Sequence, residues 1–150
     1  MLKEGDRAPD FSLPNQHGES VSLAAELAKG DLALYFYPAD FTPVCTAEAC
    51  AFRDTYAELR QANANVIGIS PQSVDSHRRF AEAFNIPFAL LFDDGKNVIK
   101  AYGVDGPFGW GVRRATFHIG QDGIIRKRVV SDLFVGGHLE LVKDLTGVLK

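Results

Sequence analysis

Only two of the 150 residues are cysteine, and methionine and tryptophan occur once each. So few thiols exclude a disulfide-stapled scaffold. Positive charge is not in excess: 16 Lys and Arg face 19 Asp and Glu, a formal net charge of −3. That leaves no electrostatic footprint for nucleic acid or an anionic membrane. No apolar run approaches the roughly 20 residues of a membrane span. The opening "MLKEGDRAPDFSLPN" lacks the apolar stretch of a signal peptide, so a cytoplasmic location is expected, where thiols stay mostly reduced. The sequence has no internal repeat, low-complexity tract or linker-like stretch. The length then reads as one domain over residues 1–150, within the usual range of about 100–200. With 46% hydrophobic residues the chain can bury a full core without staples.

What is present reads as alternating strands and helices. Short strands near Phe11–Leu13 and Ser20–Ser22 flank a polar turn. "LALYFYP", Leu32–Pro38, is an apolar, aromatic-rich run too short for a free helix, hence a buried strand. Thr42–Gln61 reads as a helix with Ala49, Phe52, Tyr56 and Leu59 on one face. "NVIGIS", Asn65–Ser70, is a second buried strand. Val74–Phe84 is an amphipathic helix with Ser73 as N-cap. "FALLFDDG" is a third strand, and Lys96–Tyr102 a short helix closed by Gly103. Ala115–Ile119 and Ile124–Val130 form a hairpin around "GQDG". His138–Leu149 closes the chain as a helix with Leu139, Val142, Leu145 and Val148 on one side. A βαβα half, a hairpin and a final helix imply an α/β fold: a mixed central sheet flanked by helices. That order is similar to the thioredoxin pattern, with an N-terminal β-hairpin extension.

Both cysteines lie in "FTPVCTAEAC", five positions apart. A structural clip would break the predicted helix, because residues five apart on a helix have Cα atoms about 8.6 Å apart, while a disulfide tolerates at most about 7 Å. A metal site needs three or four ligands, and His17, His77, His118 and His138 are scattered without ligand spacing. The histidines read as solvated or satisfied structural positions. Burial as small hydrophobes suits Cys50 better than Cys45. Cys45 stands apart because Thr42 suits the N-cap and Pro43 the first helical position. That puts Cys45 in the first turn, where unpaired N–H groups and the helix dipole favour an anion. A thiol of pKa near 8.5 is only about 3% thiolate at pH 7, so such a device makes a nucleophile. Pro38, at the strand end facing this turn, either covers the sulfur from water or simply ends the strand.

"YPADFTPVCTAEACAFRD" resembles the active-site segment of the peroxiredoxins, in particular the bacterioferritin-comigratory or Q-type subfamily. Pro38, Thr42 and Cys45 match the family's Pro-x-x-x-Thr-x-x-Cys pattern. "APDFSLPNQHGESVSL", "NVIGIS" and "RATFHI" resemble its opening, its next strand and its arginine-bearing strand. Val44 stands where the subfamily commonly has glycine, and Gly120 where it commonly has aspartate. The resemblance implies a thiol peroxidase acting on hydrogen peroxide and alkyl hydroperoxides. Cys45 would attack the peroxide and become a sulfenic acid. Thr42 would hydrogen-bond the thiolate or the peroxide, and Arg114 would hold the thiolate and steady the leaving oxygen. Cys50 would condense with the sulfenic acid, and a thioredoxin-like protein would reduce the disulfide. No metal, haem or flavin is needed. The subfamily resemblance also implies a monomer.

Arg113 is the neighbouring candidate, which strand alternation sends to the opposite face from Arg114. Glu48 and Arg53 match family positions too, and either order the site or pair on the helix surface. "GVDGPFGWGV" reads as a mobile loop beside the site. Two other readings stay open on the same fold: a thiol–disulfide oxidoreductase, although those usually carry Cys-x-x-Cys, and a redox-responsive binding or holdase protein.

Overall fold

A computed structural model describes residues 1–146. Its centre is β3 (Leu32–Phe36), every residue of which is buried. β3 pairs in parallel with β4 (Asn65–Ser70) and antiparallel with β6 (Ala115–Ile119). With β5 (Leu90–Phe92) and β7 (Ile125–Val130) the five-stranded order is β5-β4-β3-β6-β7. β1 (Ser12–Pro14) and β2 (Ser20–Ser22) form a separate antiparallel hairpin. This is the mixed sheet with an N-terminal hairpin that the element order predicts.

Alternation along β3 divides the core. Leu32, Leu34 and Phe36 point to one face, where they meet α1 (Leu23–Leu27), α4 (Asn97–Ala101) and the N-terminal segment through Leu23, Leu27, Ile99 and Phe11. Ala33 and Tyr35 point to the other, under α2 (Pro43–Gln61), α3 (Val74–Phe84) and α5 (Gly136–Asp144), with Phe52, Leu59, Phe80 and Leu141. Ser73 caps α3 by accepting from the Ser76 N–H, as its position predicts.

Most differences from the sequence expectation are at boundaries. β1 begins one residue late, β3 ends at Phe36 rather than Pro38, and a 3₁₀ turn over Asp94–Lys96 precedes α4. The final helix begins two residues early, at Gly136, and its expected position Val148 lies outside the described residues. Its buried residues are His138, Leu141 and Val142, while Leu139 and Leu145 are only half-buried. The stripe is rotated because both His138 ring nitrogens find partners inside, Thr116 and the Ser131 carbonyl. Among the described residues no helix is long and apolar enough to cross a membrane.

Candidate active site

β3 ends at Phe36, and residues 37–42 carry the chain into α2. Pro43 occupies the first turn, so helix geometry leaves the Val44 and Cys45 N–H groups without helical acceptors. Thr42 takes the N-cap place, but its hydroxyl donates to the Ala39 carbonyl at 2.9 Å instead of capping the helix or reaching the sulfur. Phe41 is left-handed at φ 65° and lays its ring on Phe80 and Phe84 of α3. Beneath this loop Asp40 is buried. It accepts from the Tyr37 hydroxyl at 2.7 Å and the Ser76 hydroxyl at 2.7 Å, and lies 2.7 Å from His77 Nδ1. His77 Nε2 in turn faces the Leu91 carbonyl at 3.1 Å. The loop is thus tied to α3 and β5 through a buried polar cluster.

Cys45 is 2% exposed and Cys50 half-buried; both are free thiols. Burial is therefore the reverse of the sequence expectation. Cys45 shares the inward stripe with Ala49 and Phe52, whereas Cys50, 500° of helical rotation further on, turns off it. Pro38 is half-buried just beyond β3.

Arg114, only 3% exposed, closes the site. Its Nη2 donates to Cys45 Sγ at 3.1 Å and its Nη1 to Glu48 Oε1 at 2.9 Å. Its Nε donates to the Asp132 carbonyl at 3.2 Å and its backbone N–H to Asp132 Oδ1 at 3.0 Å. Each of the three guanidinium nitrogens thus donates to one acceptor. Arg113 turns outward and pairs with the exposed Asp132 carboxylate at 2.9 Å. The two arginines part as strand alternation predicts, although both precede β6.

Glu48 is fully buried on Arg114, so of the two sequence readings the surface pair fails and contact with the site remains. Burial pushes its carboxyl up to about 7, against the pull of Arg114. Arg53 donates to the Phe84 carbonyl at 2.7 Å and to Asp54, and so fastens α2 to the end of α3. Behind Glu48, His138 Nδ1 lies 2.7 Å from Thr116 Oγ1 and 3.8 Å from Glu48 Oε2. Of the other histidines, His118 pairs with Asp31 at 2.8 Å and His17 is exposed. The loop before Arg113 exposes Phe108 and Trp110, and that after Asp132 exposes Leu133 and Phe134. Lys96 Nζ pins the first of these by donating to the Gly109 and Gly111 carbonyls. Among the described residues no group of three His, Cys, Asp or Glu stands where it could hold a metal ion. A buried thiol at a helix start, under a fixed guanidinium, is arranged for attack by sulfur on an electrophile that leaves as an anion.

The AhpC/TSA family matches residues 4–128. Peroxiredoxin Bcp of Bacillus subtilis is 40% identical over 155 aligned positions, 97% of this chain and 98% of that one. The chloroplastic peroxiredoxin Q of Arabidopsis thaliana is 44% identical over 126 positions; the match covers 83% of this chain but only 58% of the plant protein. The crystal structure of peroxidoxin BcpB from Mycobacterium tuberculosis superposes with a TM-score of 0.91 at 34% identity, covering 100% of this chain and 99% of that one. The chain belongs to the AhpC/TSA family and, within it, to the peroxiredoxin Q/Bcp group. It has the group's thioredoxin-like fold and is a thiol peroxidase with two cysteines. Peroxiredoxins reduce peroxides and are recycled by thioredoxin-like reductants.

Proposed function

We propose that Cys45 is the attacking thiol and Cys50 the resolving one. The observation that carries this reading is the 3.1 Å contact from Arg114 Nη2 to Cys45 Sγ, made at a helix start and almost closed to water. The Cys45 thiolate attacks the nearer oxygen of a hydrogen peroxide or alkyl hydroperoxide molecule. The O–O bond breaks, sulfur is oxidised to sulfenic acid, and the leaving oxygen takes a proton to become water or an alcohol. Arg114 holds the thiolate ready and faces the charge that grows on the leaving oxygen. Thr42 and Pro38 shape the approach: the Thr42 hydroxyl, now spent on Ala39, turns toward the bound peroxide, and Pro38 walls the sulfur from solvent. The Cys50 thiol then displaces water from the sulfenic acid to give the Cys45–Cys50 disulfide. A dithiol protein of the thioredoxin type reduces it and takes up the oxidation.

The intact helix keeps the two thiols apart, so α2 must open near its start for that bond to form. The chain works as one domain over residues 1–150, as a monomer, in the cytoplasm; relatives from plants are named chloroplastic. The deciding experiment is peroxide consumption by the purified protein with thioredoxin, thioredoxin reductase and NADPH. Wild type turns over, Cys45→Ser does not, and Cys50→Ser reacts once and stalls. Turnover by Cys45→Ser would move the chemistry elsewhere.

A further inference from the structure

Asp40 and His77 have no side-chain exposure and stand 2.7 Å apart, Oδ2 to Nδ1. The hydrogens around them can be counted. His77 Nε2 faces the Leu91 carbonyl at 3.1 Å; a carbonyl has no hydrogen to give, so Nε2 carries one and donates it. The Tyr37 hydroxyl spends its hydrogen on Asp40 Oδ1 at 2.7 Å, and so does not supply Nδ1, 3.3 Å away. The Ser76 hydroxyl spends its own on Asp40 Oδ2, also at 2.7 Å. With a bare Nδ1, two lone pairs would meet across 2.7 Å. A hydrogen therefore lies between Nδ1 and Oδ2. The carboxylate then accepts three hydrogen bonds, surroundings that favour its ionised form, and the hydrogen belongs to Nδ1.

The pair is thus an imidazolium on an aspartate, neutral as a whole. A buried ion pair adds little net stability, because desolvation cancels much of the attraction; its use is to specify one arrangement. What this pair specifies is the segment over residues 37–42. The segment leaves the sheet with the Tyr37 N–H on the Ile69 carbonyl at 3.1 Å, and it enters α2 at Pro43. It carries Pro38 and Thr42. Phe41 rests its ring on Phe80 and Phe84, while Asp40 ties the segment beneath to α3 and, through His77, to β5. None of these contacts involves a residue from 43 to 55, so opening the start of α2 breaks none of them.

We propose that Asp40 and His77 are positioning residues that hold residues 37–42 in one arrangement in both redox states. The N-terminal limit of the opening then falls at Thr42. Pro38 and Thr42 stay in place while the Cys45–Cys50 disulfide exists, and the site is ready again as soon as that bond is reduced. The pair itself takes no part in the chemistry: no bond forms or breaks there, and it acts on the sulfur only through the segment it holds.

This rests on Cys45 and Cys50 having the roles given above. The test starts with the nitrogen NMR resonances of the His77 ring at neutral pH, in reduced wild type and in wild type shown by mass to contain the disulfide. Both ring nitrogens should carry hydrogen in both forms. A bare Nδ1 in the reduced form, or a signature that changes on oxidation, overturns the proposal. In Asp40→Asn, hydrogen peroxide should oxidise Cys45 at least about tenfold more slowly, where a misplacement of about 1 Å can cost about 10²-fold. Exchange of the Tyr37 amide hydrogen separates positioning from mere stability. Oxidation should leave its protection in wild type unchanged, and Asp40→Asn should lower that protection more in the disulfide form than in the reduced form. A merely structural role would lower both alike. Equal lowering in the two forms, an unchanged oxidation rate, or loss of Tyr37 protection in oxidised wild type overturns the proposal. If Asp40→Asn does not fold, by its circular dichroism, the wild-type ring resonances and Tyr37 amide decide. Absence of oxidation at Cys45 in wild type, by mass spectrometry, would instead remove the reading beneath, and the resonances of the reduced form would still decide the pair.

Discussion

Arg114 Nη2 stands 3.1 Å from Cys45 Sγ, across 69 residues of sequence. The contact joins the first turn of α2 to the entry of β6, the central strand's antiparallel neighbour. Arg114→Ala should slow Cys45 oxidation by at least about 10²-fold, the scale for losing one donor to developing charge. Arg113→Ala removes a half-exposed pair with Asp132 and should leave the rate near wild type. Stopped-flow oxidation with hydrogen peroxide checks both; the reverse ranking would show that the wrong arginine serves the sulfur.

Glu48 should leave a mark on stability. Its carboxyl is raised from 4.5 to about 7. Below pH 4.5 it is protonated in folded and unfolded chains alike. Between 4.5 and about 7 the unfolded chain has released the proton and the folded one has not, so stability falls as pH rises. Above about 7 both are ionised and the penalty is constant. Glu48→Gln should therefore gain on wild type across that window and then hold a steady difference. Urea unfolding at a series of pH values measures it; a difference that is flat with pH would contradict the raised carboxyl.

How much of this was legible in the sequence depends on how local the cause is. The start of α2, the buried β3 and the choice of Arg114 follow from proline, an apolar run and a motif, all read within a few residues. Glu48 was not legible as a buried group, because its partner lies 66 residues away. A signal was present nonetheless: Glu48 falls on the stripe of Cys45, Ala49, Phe52, Thr55 and Leu59, where a solvated glutamate does not belong. His138, Thr116 and Asp132 carried no such signal, since only tertiary pairing brings them to the site. Cys50 was expected to be packed away, yet a helical wheel already turns it off the stripe.

The buried pair under the entry loop is a second site of high stakes. Asp40 has no side-chain exposure and holds Tyr37, Ser76 and His77. Asp40→Asn leaves His77 facing an amide and weakens a buried acceptor of several hydrogen bonds, which should cost about 1–3 kcal/mol. It should also slow Cys45 oxidation, because residues 38–42 lose their anchor to α3. Chemical denaturation gives the first number; no measurable loss would mean that the cluster does not depend on the Asp40 carboxylate.

Gly68 tests the packing of the central strands. A Cβ there would lie 2.7 Å from the Tyr35 ring. The ring is itself wedged against Tyr37, Phe52 and Phe88 and cannot give way freely. Gly68→Ala should destabilise by about 1–3 kcal/mol, as overpacking does. A neutral result in a thermal melt would show that the aromatic cluster is looser than its geometry.

The central claim is that one chain has two states, because Cys45 and Cys50 cannot bond across an intact helix. Opening has natural bounds: Asp40 anchors the chain before α2, and Phe52 with Arg53 anchors it beyond Cys50. The direct measurement is amide hydrogen exchange over residues 43–55 in reduced protein and in protein shown by mass to contain the Cys45–Cys50 disulfide. The account predicts a sharp loss of protection on oxidation, confined to that segment, with the central sheet unchanged. Equal protection in the two forms would contradict it.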